Sequence, residues 1–355
     1  MPVRKAYVPQ PQRQKARSGG KRAESLWDLY RDGITYSLLS KYFVCPERFR
    51  LKVVEGWSET GLRASLEFGN AFHACLEHLP QPAVKTLEVY QRRMTLGGGL
   101  HPSQVEEFEK LMAMVEGSVG GYLKYWNKDQ KEIDWVDREA VFDLPYEIEW
   151  EPGKKVKLRL RGKRDGLFRN RKDGSKLWIF ETKTKSEIDH EGLHRTLSQD
   201  LQTMMYSLVA EREFGEKLGG VLYNVIRVPQ LRVKKGESLR EFSIRLQQDV
   251  LERSEHYFHR WMVKFDKNDL ENWRVRSFNP LLSNIVRWWE SIKADPFNPW
   301  KSSYHFQRPY GIYDGLAAGR RGDFFELLTS GNHAGLKMNS SVFPELEEGT
   351  NGKEG

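Results

Sequence analysis

The stretch LWIFETKTKSE, residues 177–187, ends a run of strand-forming residues with an acid and a lysine on one side of the chain. Side chains of a β-strand alternate between its two faces. One face of this stretch therefore carries Leu177, Ile179, Glu181 and Lys183. A strand that runs out of the core into solvent would show the same charged end, and E-x-K spacing is common by chance. The surrounding sequence has to decide between these two interpretations.

The segments around this stretch predict an α/β fold. Period-2 alternation marks strands at residues 137–150, 154–170 and 176–185, and the Asp173-Gly174 pair is a strong hairpin signal, so we expect an antiparallel meander. Helical patterns cover residues 35–54 (with Ser37 as the N-cap), 64–79, 103–126 and 194–215, and a further strand is expected at 220–228. The order α–β–β–β–α–β is a definite topology. Downstream, the chain is expected to be mainly helical, over 237–264, 269–274 and 280–293.

The composition predicts a folded intracellular protein. Hydrophobic residues make up 39% of the 355 residues, which is enough for a sizeable core. No run of 18 apolar residues is present and the N-terminus lacks the apolar segment of a secretory signal, so we expect no membrane association. The two cysteines, Cys45 and Cys75, argue against a disulfide scaffold and a four-cysteine metal cluster. They favour a reducing compartment, the cytoplasm of a bacterium or of a phage-infected cell.

The net charge of +8 is unevenly distributed. Residues 1–23 hold seven basic residues and no acid, and this segment is expected to be a disordered tail that contacts phosphates or aids solubility. Residues 154–185 hold thirteen basic residues and three acids, namely Asp165, Asp173 and Glu181. Carboxylates in a positive neighbourhood suit a metal site that approaches a polyanion. A solvated basic hairpin explains the same charges equally well.

Four local signals carry candidate chemistry. They are Asp165 in RGKRDGLF, the pair Glu181 and Lys183, the pair Gln202 and Tyr206 at i, i+4 spacing on one helix, and His73 in GNAFHACLE. Each has an ordinary alternative: Asp165 as a turn residue, His73 as a buried histidine of an apolar helix, and the Gln/Tyr pair as polar positions of an amphipathic helix. Their occurrence together, in this order on the predicted elements, favours a joint function.

The chemistry of these residue types indicates a metal-dependent nuclease. Asp165 and Glu181 are expected on neighbouring strands, where they can converge on one divalent cation. Oxygen ligands with one imidazole, from His73, suit Mg²⁺ or Mn²⁺. Such an ion can bind a phosphate oxygen and lower the pKa of an attacking water. Lys183 can position that water and stabilise the charge that develops on the phosphate.

This layout resembles the PD-(D/E)XK nuclease superfamily, and within it the RecB-like exonuclease branch. In that branch the motifs G-x-x-x-H, G-x-x-D, D/E-x-K and Q-x-x-x-Y follow in order. The matching residues here are Gly69 and His73, Gly162 and Asp165, Glu181 and Lys183, and Gln202 and Tyr206. The segment SLLSKYFVCPERFRL is also similar to the helix that begins this branch, and the resemblance covers residues 35–230. It implies a restriction-endonuclease-like core, an αβββαβ mixed sheet flanked by helices, with a C-terminal helical extension.

The resemblance also implies roles for single residues. His73, Asp165, Glu181 and the carbonyl of Thr182 become metal ligands, Lys183 becomes the catalytic lysine, and Gln202 and Tyr206 line the DNA path. Glu139, on the preceding strand, is expected to support the site. Several relatives hold an iron–sulfur cluster through one early and three late cysteines. Cys45 matches the early one, but the segment 297–315 contains no cysteine, so no cluster is expected.

The sequence thus divides into a basic tail (1–33), a nuclease core (34–230), a helical extension (231–330) and a polar tail (331–355). The expected function is metal-dependent hydrolysis of DNA by an exonuclease of DNA repair, recombination or phage DNA processing, with a helicase or recombination protein as a candidate partner. Two alternatives stay open: a catalytically inactive nucleic-acid-binding module on the same fold, and an α/β interaction protein in which the motifs coincide. The sequence does not choose between DNA and RNA, or between exonuclease and endonuclease.

Overall fold

The computed structural model describes residues 25–59, 62–96, 100, 102–171, 174, 176–197, 199–266, 268–298, 301–303, 336–343 and 346. The strands are β1 (Trp57–Glu59), β2 (Ile133–Glu151), β3 (Lys154–Asn170), β4 (Leu177–Lys185), β5 (Gly220–Arg227), β6 (Phe258–Lys264) and β7 (Leu336–Met338). The helices before the central sheet are α1 (Leu29–Asp32), α2 (Tyr36–Val44), α3 (Pro46–Phe49), α4 (Ala64–Glu77), α5 (Ala83–Leu96), α6 (Val105–Tyr125) and α7 (Asp129–Glu132). The later helices are α8 (His190–Leu197), α9 (Leu201–Phe214), α10 (Leu239–Glu252), α11 (Ser254–Tyr257), α12 (Asp269–Trp273) and α13 (Asn279–Ile292).

The central sheet has five strands in the order β2-β3-β4-β5-β6. Strands β2, β3 and β4 form the antiparallel meander that the alternating segments predicted. Strand β5 pairs in parallel with β4, with α8 and α9 in the connection between them, and β6 then pairs antiparallel with β5. A mixed sheet flanked by helices is therefore confirmed. Strand β4 is nearly all buried, which explains its continuous apolar run before Glu181.

The prediction of a helix over 237–264 was wrong over residues 258–264. Helix α10 begins at Leu239 with Ser238 as a capping-box N-cap, but residues 258–264 form the edge strand β6. The segment FHRWMVK is rich in the aromatic and β-branched residues that suit strands, and its pairing with β5 decides its conformation.

Two helix boundaries also differ from the prediction. Thr35, and not Ser37, caps α2, because its side chain accepts a hydrogen bond from the N–H of Leu38. The predicted helix over 194–215 is two helices, and Asp200 caps the second by accepting from the N–H of Thr203. This cap matters for function, since it fixes the start of the helix that carries Gln202 and Tyr206.

The helices cover the sheet through two large apolar clusters. The first joins α2, α9 and α13 to the sheet face that carries Ile179, Val221 and Tyr223. The second joins α4, α5, α6 and α10 and reaches the sheet at Ile226 and Phe258. Helix α4, which bears the candidate ligand His73, is thereby held between the sheet and the second helical layer.

The chain's ends enter the fold further than the predicted tails allowed. Trp27 is fully buried, and its indole N–H donates to the carbonyl of Gly33 at 2.9 Å, so residues 25–33 belong to the core although they were assigned to the basic tail. The Trp27 ring lies 5.1 Å from that of Trp289, and both tryptophans of the Trp288-Trp289 pair are core residues. In the predicted polar tail, β7 pairs with β1 and Phe343 is buried. Residues 1–24 lie outside the described part of the chain.

None of the helices in the described ranges has the length and apolar character to cross a bilayer.

Candidate active site

The site lies where two strands of the meander separate. Pairing of β3 with β4 runs from Arg169 opposite Leu177 to Gly166 opposite Phe180 and stops before Asp165 and Glu181. Beyond that point β4 continues beside β5 alone. The backbone N–H of Thr182, freed from the ladder, donates to Asp165 Oδ2 at 2.6 Å. The fork therefore holds the two carboxylates that the sequence singled out, and it fixes one of them by a backbone hydrogen bond.

Helix α4 brings His73 over the fork because Gly69 lets the helix approach β4 closely. A Cβ on Gly69 would lie 2.9 Å from Thr184 Oγ1, closer than side chains tolerate. One turn later, His73 Nδ1 lies 3.5 Å from Asp165 Oδ1 and 3.6 Å from Glu139 Oε1. The glycine and histidine of the G-x-x-x-H motif thus have separate tasks, helix approach and contact with the acids.

Glu139 belongs to the same cluster. It sits on β2 between residues that pair with Arg164 and Gly166, which places it across from Asp165. Its φ of 48° is the left-handed conformation that non-glycine residues seldom adopt, and such strain concentrates at functional sites. One ligand atom each from His73, Glu139 and Asp165 lie within 4.8 Å of one another. Only a supporting role was predicted for Glu139, since its backbone conformation leaves no local signal in the sequence.

Glu181 and Lys183 lie on one face of β4, as the alternation predicted. They are not the solvent-exposed end of a strand. Glu181 is 1% exposed, and Lys183 Nζ lies 2.8 Å from its Oε1 and donates to Gln202 Oε1 at 2.6 Å. The other carboxylate oxygen, Glu181 Oε2, is buried and has no hydrogen-bond partner among the described residues. The lysine is thus held between a strand and a helix, and one oxygen of the acid is left for another ligand.

The electrostatics of the cluster favour a bound cation. Burial, together with the nearby carboxylates of Glu181 and Glu139, raises the pKa of Asp165 to about 8, against the lowering effect of His73. Burial also raises the pKa of Glu181, although Lys183 opposes it. Burial alone would lower the pKa of His73, but Asp165 and Glu139 bring it to about 9. Crowded, desolvated carboxylates of this kind are stabilised in their charged form by a divalent cation.

The residues present fit a hard divalent cation. They offer three carboxylates and one imidazole, a donor set that suits Mg²⁺ or Mn²⁺, and the partnerless Glu181 Oε2 is a ready ligand atom. The three-residue group contains Glu139 where the sequence had placed Glu181 and the Thr182 carbonyl. The ligand set His73, Asp165, Glu181 and Thr182 stays a prediction, to which Glu139 is now added.

Gln202 and Tyr206 take different positions on α9. Gln202 accepts from Lys183, while Tyr206 is 6% exposed, with its ring 5.3 Å from that of Phe142. Gly162 makes this packing possible, since a Cβ there would lie 2.6 Å from the Phe142 ring and 3.2 Å from that of Tyr206. The packing of the Phe142 and Tyr206 rings therefore explains why the G-x-x-D motif needs a glycine at position 162. That Gln202 and Tyr206 line a DNA path stays a prediction.

Sequence reasoning missed three polar residues around the site. Lys163, two residues before Asp165 on the same face, lies 3.2 Å from Glu139 Oε2 and 2.9 Å from Glu77 Oε2, a position that strand alternation alone could have found. Tyr36, at the start of α2, is close enough to Asp200 and Lys183 that their charges affect its pKa, which burial raises. Asp200 also raises the pKa of Lys183. These contacts link residues far apart in sequence, so nothing local marks Tyr36 or Asp200.

The basic run of β3 is largely neutralised by acids of β2 and of the region around the end of α9. Lys155 pairs with Glu147, Arg159 and Arg161 pair with Asp143, Arg164 pairs with Asp137 and Glu213, and Arg169 pairs with Glu216. Most of these positive charges therefore stabilise the meander, and the excess of basic residues in 154–185 is not by itself a phosphate-binding surface.

Cys45 has a structural role at the start of α3. Its sulfur accepts from the N–H of Arg48 at 3.4 Å and lies 3.8 Å from the carbonyl of Ser303. Much of the segment 297–315 falls outside the described residues, and the expectation of no iron–sulfur cluster stays a prediction.

Comparisons with known proteins agree with this geometry. The sequence model of a family described as the PD-(D/E)XK nuclease superfamily matches residues 34–297, well over half of the chain. No curated protein matches. Among solved structures, one titled "Crystal structure of SSO0001" is 17% identical and matches over 61% of this chain and 84% of that chain. Its TM-score of 0.20 is too low to carry any argument about this protein.

Proposed function

This chain belongs to the PD-(D/E)XK nuclease superfamily, and we propose that it is a metal-dependent DNA exonuclease of the RecB-like branch. Members of the superfamily generally hydrolyse phosphodiester bonds and use divalent metals. The observation that carries the proposal is the strand fork, where Lys183 Nζ lies 2.8 Å from Glu181 Oε1 beside the cluster of His73, Glu139 and Asp165. We propose DNA as the substrate, exonuclease action and the RecB-like branch because of the order of the four motifs.

The residues of the fork divide the work of hydrolysis. His73, Glu139, Asp165, Glu181 and the carbonyl of Thr182 would hold the cation, which would supply Lewis-acid chemistry at the phosphate and a more acidic water. Burial alone would lower the pKa of Lys183, but the carboxylates of Glu181 and Asp200 raise that pKa above its usual value and keep the amine charged. Its ammonium group, fixed by two hydrogen-bonding partners, can orient a water and stabilise negative charge that develops on the phosphate oxygens.

The intact fork argues against the alternative of an inactive nucleic-acid-binding module. Each position that the chemistry needs holds a group able to perform it, and Glu181 Oε2 has no partner among the residues that the structure describes, which suits a further ligand. We assign the protein to DNA repair, recombination or phage DNA processing, with a helicase or recombination protein as its candidate partner.

The test compares the protein with a Lys183→Ala variant on end-labelled linear DNA, closed-circular DNA and RNA, with Mg²⁺, Mn²⁺ or EDTA. A Lys176→Ala variant is the matched control, because Lys176 is an exposed lysine just before the opposite end of the same strand. We expect metal-dependent degradation of linear DNA that spares circles, is lost in Lys183→Ala and persists in Lys176→Ala. Binding without cleavage under every metal would replace the nuclease by the binding module, and cleavage of circles would replace exonuclease by endonuclease action.

A further inference from the structure

A cavity of about 590 Å³ opens directly beside the metal-binding cluster. Glu139, Asp165 and Thr182 form one end of it, and the rest is enclosed by the end of α4, the end of α6 and the start of β2. Its volume lies within the usual range for sites that bury a small molecule or a single nucleotide. The motifs that define the cluster do not account for this space.

The walls of the cavity are aromatic. Trp126, at the end of α6, and Trp135, on β2, are half-buried and line it together with the buried Phe180. The rings of Trp135 and Phe180 meet edge to face with centroids 5.1 Å apart. Flat apolar walls of this kind bind planar heteroaromatic rings by stacking.

The wall at Trp126 is rigid because a half-buried arginine, Arg260, supports it. The guanidinium of Arg260 lies 3.7 Å from the centre of the Trp126 ring. Both terminal nitrogens of Arg260 donate to Asp129 at 2.6 Å, and its Nε donates to Asn224. A wall fixed before the ligand arrives loses little conformational entropy on binding.

Arg138, unlike Arg260, is not paired with an acid among the described residues, so its guanidinium can bind a ligand. It lines the same cavity, is exposed, and lies over the Trp135 ring at 4.3 Å. Among the residues that the structure describes, it makes no hydrogen bond or ion pair, whereas the arginines of β3 are paired with acids. A free guanidinium next to carboxylates that hold a cation suits a phosphate or a base edge.

We propose that this cavity is a nucleobase subsite, which takes the unpaired base next to the scissile phosphate between Trp126 and Trp135, with Arg138 on the adjoining phosphate. This proposal rests on the proposed nuclease function. It limits the expected substrate to DNA with single-stranded or frayed ends. A base inside a duplex is stacked and paired, so it must be unstacked before it can enter an enclosed pocket.

The experiment measures binding and not cleavage. Lys183→Ala protein is titrated, in EDTA, into fluorescently labelled single-stranded oligonucleotides that are intact, abasic at the terminal nucleotide or abasic in the middle, and both ends are tested. The same titrations follow with Trp135→Ala added. Trp150→Ala, at a half-buried tryptophan near the far end of β2, is the matched control.

We expect the abasic end to weaken binding about 5- to 150-fold, the effect of one stacked base. Trp135→Ala should weaken intact DNA similarly and abolish the difference between intact and abasic ends, while Trp150→Ala should change neither. An Arg138→Gln variant should lower the salt dependence of binding by about one phosphate contact.

Equal binding of intact and end-abasic DNA by the Lys183→Ala protein would overturn the subsite, and so would equal losses from terminal and central abasic positions. This result does not depend on the folding of the tryptophan variants. If the intact protein cleaves no DNA but the terminal base still matters, the nuclease proposal fails and the subsite stands. If cleavage occurs with no sensitivity to the terminal base, only the subsite fails.

Discussion

Gly69→Ala should damage the active site while leaving the protein folded. A Cβ at this position would lie 2.9 Å from Thr184 Oγ1, whereas ordinary contacts begin at 3.4 Å, so α4 and β4 must separate by about 0.5 Å. His73 lies one turn further along the same helix and moves with it. Its contacts with the acids of the fork, at 3.5 and 3.6 Å, would be displaced by a similar distance.

We expect Gly69→Ala to lower the rate of cleavage more than it lowers the stability of the protein. Alanine in a helix interior is favoured over glycine by about 1 kcal/mol, which offsets much of an overpacking penalty of about 1–3 kcal/mol. A misplacement of about 1 Å can cost about 100-fold in rate, so half of that distance should cost on the order of 10-fold. We therefore expect metal-dependent cleavage about tenfold slower, with a melting temperature within a few degrees of the parent.

Two variants isolate the cause. Thr184→Ala removes the hydroxyl that the new methyl group meets, so combining it with Gly69→Ala should restore most of the activity. Gly120→Ala is the matched control, because a Cβ there meets only the movable end of the Gln247 side chain. The reasoning is refuted if Gly69→Ala is fully active, or if the loss persists in the double variant.

Two further substitutions test the framework of the site. Arg50→Met should lower the free energy of unfolding by about 3–5 kcal/mol in a urea titration, because it leaves Glu47 and Glu55 buried without their countercharge; a loss below 1 kcal/mol would show that water already reaches these acids. Gly162→Ala should cost about 1–3 kcal/mol by forcing the Phe142 ring from its place, and Gly162→Ala combined with Phe142→Leu should be more stable than additivity allows. Strictly additive values would mean that the glycine is needed for another reason.

Local sequence patterns were sufficient where a feature depends on near neighbours. The period-2 alternation of residues 177–185 placed Glu181 and Lys183 on one face, and the alternating segments predicted the confirmed meander. Helical spacing likewise put Gly69 and His73 on one face of α4. These features follow from backbone geometry, which repeats every two or 3.6 residues whatever the rest of the chain does.

Features that depend on residues far apart in the sequence could not be predicted from local patterns. Residues 258–264 form a strand because they pair with the edge of β5, and the strand-forming residues among them were not sufficient to predict this without that partner. Glu139 joins the cluster because it has a left-handed backbone conformation at the position on β2 that lies opposite Asp165. No pattern of side chains in the sequence predicts that conformation.

The sequence by itself determined the chemistry of this protein: which acids, which histidine and which lysine are present, and on which faces of which elements. The tertiary structure decided their use. Only the separation of β3 from β4 buries Glu181, frees the N–H of Thr182 for Asp165 and opens a cavity beside them. The physical reason is that alternation fixes the direction of a side chain, while the distances between elements are set by packing across the whole core, at contacts as specific as that of Gly69 with Thr184.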